Sequence, residues 1–125
     1  MPLQRTNYDG LPPPAGPYVH GVRHGNTLYL SGFTAYGTPA QSQGMKEQVV
    51  SIFDQISTAA EQEGTSLENL IKVTLFVPDM SLIQELRSAL EKVYKDNKPA
   101  SSLLEVNALF EPDLKLEVET IFAIP

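Results

Sequence analysis

Apolar side chains recur every three or four residues from Met45 to about residue 62, the spacing that lines one face of a helix. Gly64 follows this stretch, and glycine commonly ends helices because it adopts positive φ without a steric penalty. The pattern predicts an amphipathic helix with one buried face, which other elements must cover. The members of this face are Met45, Val49, Ile52, Phe53, Ile56 and Ala60.

A second helical pattern begins near Ser81 and continues to about residue 96. Ser81 and Gln84 stand at the spacing of a capping box, which favours a helix start at this point. Between the two helices, residues 70–77 are dense in β-forming side chains. Their nearly continuous apolarity predicts a central strand that is buried on both faces.

The remaining strands are predicted on both sides of this helical region. Residues 18–23 and 27–31 flank Gly25-Asn26, a tight-turn signal, and favour a β-hairpin whose second strand ends at Gly32. The prolines between residues 11 and 17 exclude helix and predict a rigid extended connector. The other predicted strands are 3–8 at a sheet edge, 101–108 and 115–123. Strands and helices that alternate in this order predict an α+β fold, a mixed sheet with both helices on one face.

Composition restricts the class of protein. With 125 residues, 42% apolar and 19% charged, the chain fits one domain spanning residues 1–125. The net charge of −6, with nine basic residues scattered among fifteen acidic ones, argues against nucleic acid as a partner. No apolar run approaches the roughly 20 residues of a membrane helix, and no signal-peptide layout is present. The absence of cysteine excludes disulfides and thiol catalysis, and it favours a cytoplasmic protein.

Two carboxylates and two hydroxyls are candidates for chemistry near the C-terminus. Glu117 and Glu119 lie two positions apart on a predicted strand and therefore share a face. Ser101 and Ser102 open the preceding strand, so pairing of these strands would bring hydroxyls and carboxylates together. Such carboxylates do acid–base work if burial raises one pKa; otherwise they belong to an exposed sheet face, which is the more common case.

Other combinations of reactive residues are weaker candidates. His20 and His24 are four positions apart across a strand and a turn, without a third ligand nearby, so surface or turn positions are expected rather than a metal site. No nucleophile elbow is present, which argues against a Ser-His-Asp triad. Tyr18 either packs on the sheet or directs its hydroxyl at a cleft, and a solvated side chain is the default for Arg87.

Four segments stand in an order and at intervals that carry a further signal. They are Gly16-Pro17-Tyr18, Leu30-Ser31-Gly32, Pro99-Ala100-Ser101-Ser102 and Leu116-Glu117-Val118-Glu119, accompanied by Gln48, Lys72-Val73-Thr74 and Val77-x-Asp79-Met80. Over about residues 15–123, this pattern resembles the RidA (YjgF) family of small cytosolic proteins. The resemblance implies a chorismate-mutase-like fold and a homotrimer with a β-barrel-like centre, whose clefts between subunits bind small molecules. It also implies hydrolysis of enamines and imines to a keto acid and ammonia, without a metal or an organic cofactor.

Five positions match the family's cleft residue by residue. The resemblance places the last-strand glutamate, which handles the water or proton, on Glu119, and the cleft tyrosine on Tyr18. It places the serine-glycine pair on Ser31-Gly32, with Phe33 following.

Two positions depart from the family's pattern. The arginine that binds the substrate carboxylate falls on Ser101, and the second-helix asparagine falls on Arg87. Serine lacks the positive fork of a guanidinium, so weak or absent turnover of 2-imino acids is expected. Either Arg87 reaches into the cleft and replaces the lost charge, or the hydroxyls of Ser101 and Ser102 bind a ligand that has no carboxylate.

Two functions follow from these features. The first is a hydrolase of imines or enamines with an altered substrate, in which Glu119 activates water. The second is a non-catalytic homotrimer that binds a small metabolite. Loss of turnover in Glu119→Ala, with ligand binding retained, would favour the first. The acidic charge disfavours the ribonuclease activity attributed to the family.

Overall fold

One six-stranded sheet carries two helices on one of its faces. The computed structural model describes all 125 residues. The strands are β1 (Leu3–Thr6), β2 (Gly21–His24), β3 (Thr27–Phe33), β4 (Leu70–Val77), β5 (Ala100–Glu105) and β6 (Glu117–Ala123), and the helices are α1 (Met45–Gln62) and α2 (Ile83–Tyr94). The predicted α+β class is confirmed. Neither helix combines the length and the apolarity needed to cross a lipid bilayer.

The sheet has the order β1-β2-β3-β6-β4-β5. All neighbours are antiparallel except β4 and β5, which are parallel. A parallel pair needs a long crossover, and α2 provides it between β4 and β5. The predicted hairpin is β2–β3, with Gly25 at positive φ in its turn.

The core lies between the sheet and the helices. The side chains of Val49, Ile52 and Ile56 on α1 are fully buried, as are Val73 on β4 and Phe122 on β6. All five belong to one apolar cluster that also contains Leu86 and Leu90 of α2, so both helices cover the same face of the sheet. This face is called the helix face below, and the other the open face.

The open face corrects the prediction for β4. Val73, Leu75 and Val77 point to the helix face and are buried, whereas Lys72 and Phe76 on the open face are only half-buried. Both helices pack on the helix face and neither packs on the open face, so this strand is buried on one side rather than on both.

Two features suggested by the sequence are absent. The pairing that would bring the C-terminal hydroxyls and carboxylates together does not occur, because β5 lies on one side of β4 and β6 on the other. Ser102 and Glu119 are both register partners of Thr74, two strands apart. The predicted capping box is also absent: Asp79 caps the turn before α2 by accepting a hydrogen bond from the Ser81 backbone N–H, at 2.9 Å.

Candidate active site

A bulge in β3 shapes the candidate site. The register between β3 and β6 shifts between Leu30 and Phe33, so the predicted strand end at Gly32 is instead an irregularity within the strand. Ser31 stays anchored, since its Oγ donates a hydrogen bond to the Val19 carbonyl at 2.6 Å. A Cβ atom at Gly32 would overlap the carboxylate of Glu117, so only glycine leaves this carboxylate its position.

A cavity of about 590 Å³ lies beside this bulge. Its lining includes five of the residues that the sequence singled out, namely Tyr18, Ser31, Gly32, Phe33 and Glu119. The lining also includes Glu117 and two more aromatic residues, Tyr36 and Phe110. No lysine or arginine lines it.

The two glutamates on β6 differ in environment. Glu117 is half-buried and Glu119 is exposed, although both side chains lie on the open face. Burial raises the pKa of Glu117, and the negative charge of Glu119 raises it further. This is the raised pKa that acid–base work by the pair requires. The family resemblance implies the proton-handling role for Glu119, and this raised pKa belongs to Glu117, two positions earlier on the same face.

Aromatic side chains form one wall of the cavity. Tyr36 and Phe110 meet edge to face, with ring centroids 5.0 Å apart. Tyr18 is 47% exposed, and its hydroxyl accepts a hydrogen bond from the Ala15 backbone N–H at 3.2 Å. Tyr18 is also among the residues that line the cavity.

His20 is buried, which corrects its predicted surface or turn position. Only 3% of this residue is exposed, and its ring is stacked on that of Tyr8 and tilted against that of Phe33, with centroid distances of 6.0 and 5.7 Å. Nδ1 accepts a hydrogen bond from the Tyr8 backbone N–H, and Nε2 lies 2.9 Å from the Pro12 carbonyl oxygen. Both ring nitrogens are therefore engaged by backbone. His24, in contrast, is exposed.

Three of the predicted site residues lie outside this cavity. Arg87 is exposed on α2, on the helix face, whereas Glu119 is on the open face. Ser101 is a register partner of the buried Val73 and therefore also points to the helix face. Ser102 lies on the open face, where its Oγ is 2.9 Å from Nζ of Lys72. Within one chain, none of the three lines the cavity.

Two lining residues differ in how well the sequence signals them. Gln55 interrupts the apolar face of α1, and its amide donates a hydrogen bond to the Thr34 carbonyl at 2.9 Å. A polar residue at a core-facing position is a usable signal of this kind of contact. Phe110 lies in the loop between β5 and β6, and nothing in the local sequence indicates that this loop reaches the cavity.

Comparisons with known proteins agree with this architecture. A RutC family protein from Aquifex aeolicus is 35% identical over 112 residues, covering 86% of this chain and 87% of that protein. The mitochondrial protein MMF1 of Saccharomyces cerevisiae is 31% identical over 111 residues, covering 86% of this chain and 76% of that protein. The crystal structure of yeast Mmf1 matches with a TM-score of 0.90, over 99% of this chain and 100% of that one.

A third relative has a name that states a reaction. A 2-iminobutanoate/2-iminopropanoate deaminase of Dermatophagoides farinae is 24% identical over 116 residues, covering 90% of each chain. The family model described as Endoribonuclease L-PSP matches residues 10–124, nearly the whole chain. The chain therefore belongs to the Endoribonuclease L-PSP family, which is the RidA (YjgF) family that its motifs resemble.

Proposed function

We propose that the chain is a hydrolase of C=N bonds, which converts an imine or enamine and water into a carbonyl compound and ammonia without a cofactor. The observation that carries the proposal is the half-buried Glu117, whose pKa is raised by burial and by Glu119, in a cavity with aromatic walls. The family and the name of the Dermatophagoides farinae relative support this reaction class.

Glu117 and Glu119 divide the proton transfers of this reaction. The protonated carboxyl of Glu117 donates to the imine nitrogen, and the carboxylate of Glu119 takes a proton from the attacking water. The water oxygen bonds to carbon and gives a carbinolamine. Glu119 then returns its proton to nitrogen while Glu117 takes the hydroxyl proton, the C–N bond breaks, and ammonia and the carbonyl compound leave. Both carboxyl groups end in their starting states.

The substrate that suits this cavity has no carboxylate. The lining contains two glutamates and no lysine or arginine, so a bound carboxylate would lose water without gaining a positive partner. Ser101 stands where the resemblance places the carboxylate-binding arginine, and its hydroxyl cannot replace that charge. A small neutral or protonated imine with an apolar substituent matches the aromatic wall and the two carboxylates.

A homotrimer is part of the proposal. The open face exposes large apolar side chains, including Tyr29 and Leu104, and a second copy of the chain would cover them. Ser101 and Ser102 would then contribute hydroxyls to the cleft of a neighbouring copy, since neither of them lines the cavity of its own chain. A cytoplasmic location stays a prediction, because one relative is mitochondrial.

Charge-removing variants of the two glutamates test the reaction. The assay follows ammonia release above the spontaneous rate from butan-2-imine, generated in place by oxidation of butan-2-amine. We expect Glu117→Gln and Glu119→Gln each to lower kcat by about 100-fold or more, the usual loss for a general acid or base. Glu85→Gln, on the exposed surface of α2, is the matched control and should retain the parent rate.

The same assay separates catalysis from binding alone. Parent rates in both cavity variants would contradict the assignment of the two glutamates. If the parent protein binds butan-2-one saturably in calorimetry but releases no ammonia above background, the chain is instead a non-catalytic metabolite-binding protein.

A further inference from the structure

A short proline segment forms a wall of the cavity and has few ways to be held in place. Residues 12–15, called the strap below, line the cavity with three consecutive prolines and an alanine. The prolines have no backbone N–H, so their backbone can only accept hydrogen bonds. Any side chain that fixes this part of the wall must therefore be a donor.

The strap makes two hydrogen bonds to the rest of the chain. At one end, the Pro12 carbonyl is 2.9 Å from Nε2 of His20. At the other end, the Ala15 N–H donates to the hydroxyl of Tyr18, which is exposed. The His20 contact is the one with a buried partner, so it is the stronger constraint on the position of the strap.

The backbone of Tyr8 decides which nitrogen of His20 carries the proton. An amide N–H is always a donor, and that of Tyr8 points at Nδ1, at 2.9 Å. Nδ1 must therefore be the unprotonated nitrogen, and the proton of the neutral ring lies on Nε2. This is the tautomer that donates to the Pro12 carbonyl. The stacked ring of Tyr8 and the tilted ring of Phe33 hold the imidazole in the orientation that makes this hydrogen bond.

We propose that His20 is a positioning residue, which sets the wall formed by the strap and thereby the affinity of the cavity for its substrate. His20 itself lines the cavity, but both of its ring nitrogens are engaged by the backbone of Tyr8 and Pro12, so it acts through the strap. The strap is partly exposed, so a freed Pro12 carbonyl turns to water at little cost in stability. What is lost is the fixed shape of the cavity. The kinetic part of this proposal rests on the proposed function, but the structural part does not.

Two isosteric variants separate the two contacts of the ring. His20→Gln keeps a donor where Nε2 stands and can still bond the Pro12 carbonyl. His20→Asn keeps an acceptor at the position of Nδ1 and retains the hydrogen bond from the Tyr8 N–H, but it loses the hydrogen bond to the Pro12 carbonyl. Hydrogen exchange of the Ala15 amide, measured without any ligand, reports on the strap. We expect parent-like exchange in His20→Gln and about tenfold faster exchange in His20→Asn, as for the loss of one hydrogen bond.

The kinetic readout should split in the same way. With butan-2-imine, His20→Asn should raise KM several-fold at nearly unchanged kcat, and His20→Gln should restore the parent KM. Equal effects of both variants, or an unchanged Ala15 exchange rate in His20→Asn, would overturn the proposal. If the parent protein turns over no imine, the exchange comparison still decides the role of His20 and leaves the proposed function as the part that failed.

A measurement on the unmodified protein covers the case in which His20→Asn does not fold. The ¹⁵N chemical shifts of the His20 ring distinguish the two neutral tautomers. We expect the proton on Nε2, with a detectable coupling across the hydrogen bond to the Pro12 carbonyl. A proton on Nδ1 would rule out the donation to the strap and the proposal with it.

Discussion

At the scale of single residues, depth of burial is the main cause of the raised pKa of Glu117. Glu117 and Glu119 share one strand and one face, yet only Glu117 lies against the bulge at Gly32. Burial there disfavours the charged form, and the neighbouring carboxylate adds repulsion. The sequence spacing predicts a shared face but not depth, because the bulge that creates the difference belongs to another strand.

The raised pKa of Glu117 predicts a pH dependence of stability. The folded state holds the Glu117 proton at pH values where the unfolded chain, with a pKa near 4.5, has lost it. The free energy of unfolding contributed by this group therefore falls as pH rises from about 4.5 through the raised pKa. Glu117→Gln should remove this fall, so that the variant exceeds the parent in stability at pH 7 but not at pH 4. Urea unfolding of parent and variant at pH 4 and pH 7 measures this effect, with Glu85→Gln as the control. If the free energies of unfolding of Glu117→Gln and the parent differ by the same amount at both pH values, the prediction is contradicted.

Gly32 predicts a second effect on the same carboxylate. In Gly32→Ala the new methyl group takes the space of the Glu117 carboxylate, whose flexible side chain must swing away. We expect turnover to fall while the free energy of unfolding changes little. A double-mutant cycle with Glu117→Gln checks the cause, because the alanine should have almost no further effect once the carboxylate is gone. Additive losses would show that Gly32 acts on something else.

At the scale of elements, a buried amide on α1 joins segments that are distant in sequence. The Gln48 side chain is fully buried; its nitrogen donates to the Asp113 carbonyl at 2.8 Å, and its oxygen accepts from the Lys115 N–H at 2.9 Å. Further contacts reach the carbonyls of Gln41 and Gln43. The amide thus fixes the approach to β6, the strand that carries both cavity glutamates.

Removal of this amide should be costly. Gln48→Leu leaves a backbone N–H and several carbonyls without partners, which should lower the free energy of unfolding by about 1–3 kcal/mol. Gln84→Leu, at an exposed position on α2, is the matched control. Urea denaturation of both variants measures the difference. A Gln48→Leu variant as stable as the control would mean that water replaces the amide without cost.

Local sequence patterns were sufficient to predict the helices and the hairpin, but not to predict which strands lie next to each other in the sheet. The helices and the β2–β3 hairpin follow from short-range periodicity and from a turn at Gly25, and the structure confirms them. The last two strands, whose pairing the sequence left open, are not neighbours, because the α2 crossover places β5 beside β4 in parallel and β6 pairs on the other side of β4. His20 was misplaced for a similar reason, since the segment that buries it lies twelve residues earlier, at Tyr8.

At the scale of the whole molecule, the predicted site divides into two groups. Tyr18, Gly32 and Glu119 were predicted from the family resemblance, and within one chain they line one cavity. Ser101 and Arg87 lie on the other side of the sheet. A sequence cannot show which subunit supplies each residue to a shared cleft, so the role of the second group depends on assembly.

Assembly is predicted by the uncovered apolar face. We expect analytical ultracentrifugation of the parent protein to give a molecular mass about three times the chain mass of 13.7 kDa. Tyr29→Lys and Leu104→Lys place charges on the open face and should shift the mass towards that of the monomer. Val50→Lys is the matched control, because Val50 is 48% exposed, like Tyr29, but lies on α1. A parent monomer, or trimers in both open-face variants, would contradict an interface at this face.

The central claim is that the cavity hydrolyses imines that have no carboxylate. Its most direct test is the ratio of kcat/KM for butan-2-imine to kcat/KM for 2-iminobutanoate, two substrates that differ by a methyl group in place of the carboxylate. Loss of a bidentate arginine contact is worth about 2–5 kcal/mol, and the cavity lining offers no other cation. We therefore predict that kcat/KM for butan-2-imine is about ten times that for 2-iminobutanoate, or more. A ratio below one, with 2-iminobutanoate turned over as fast as by arginine-bearing relatives, would contradict the claim.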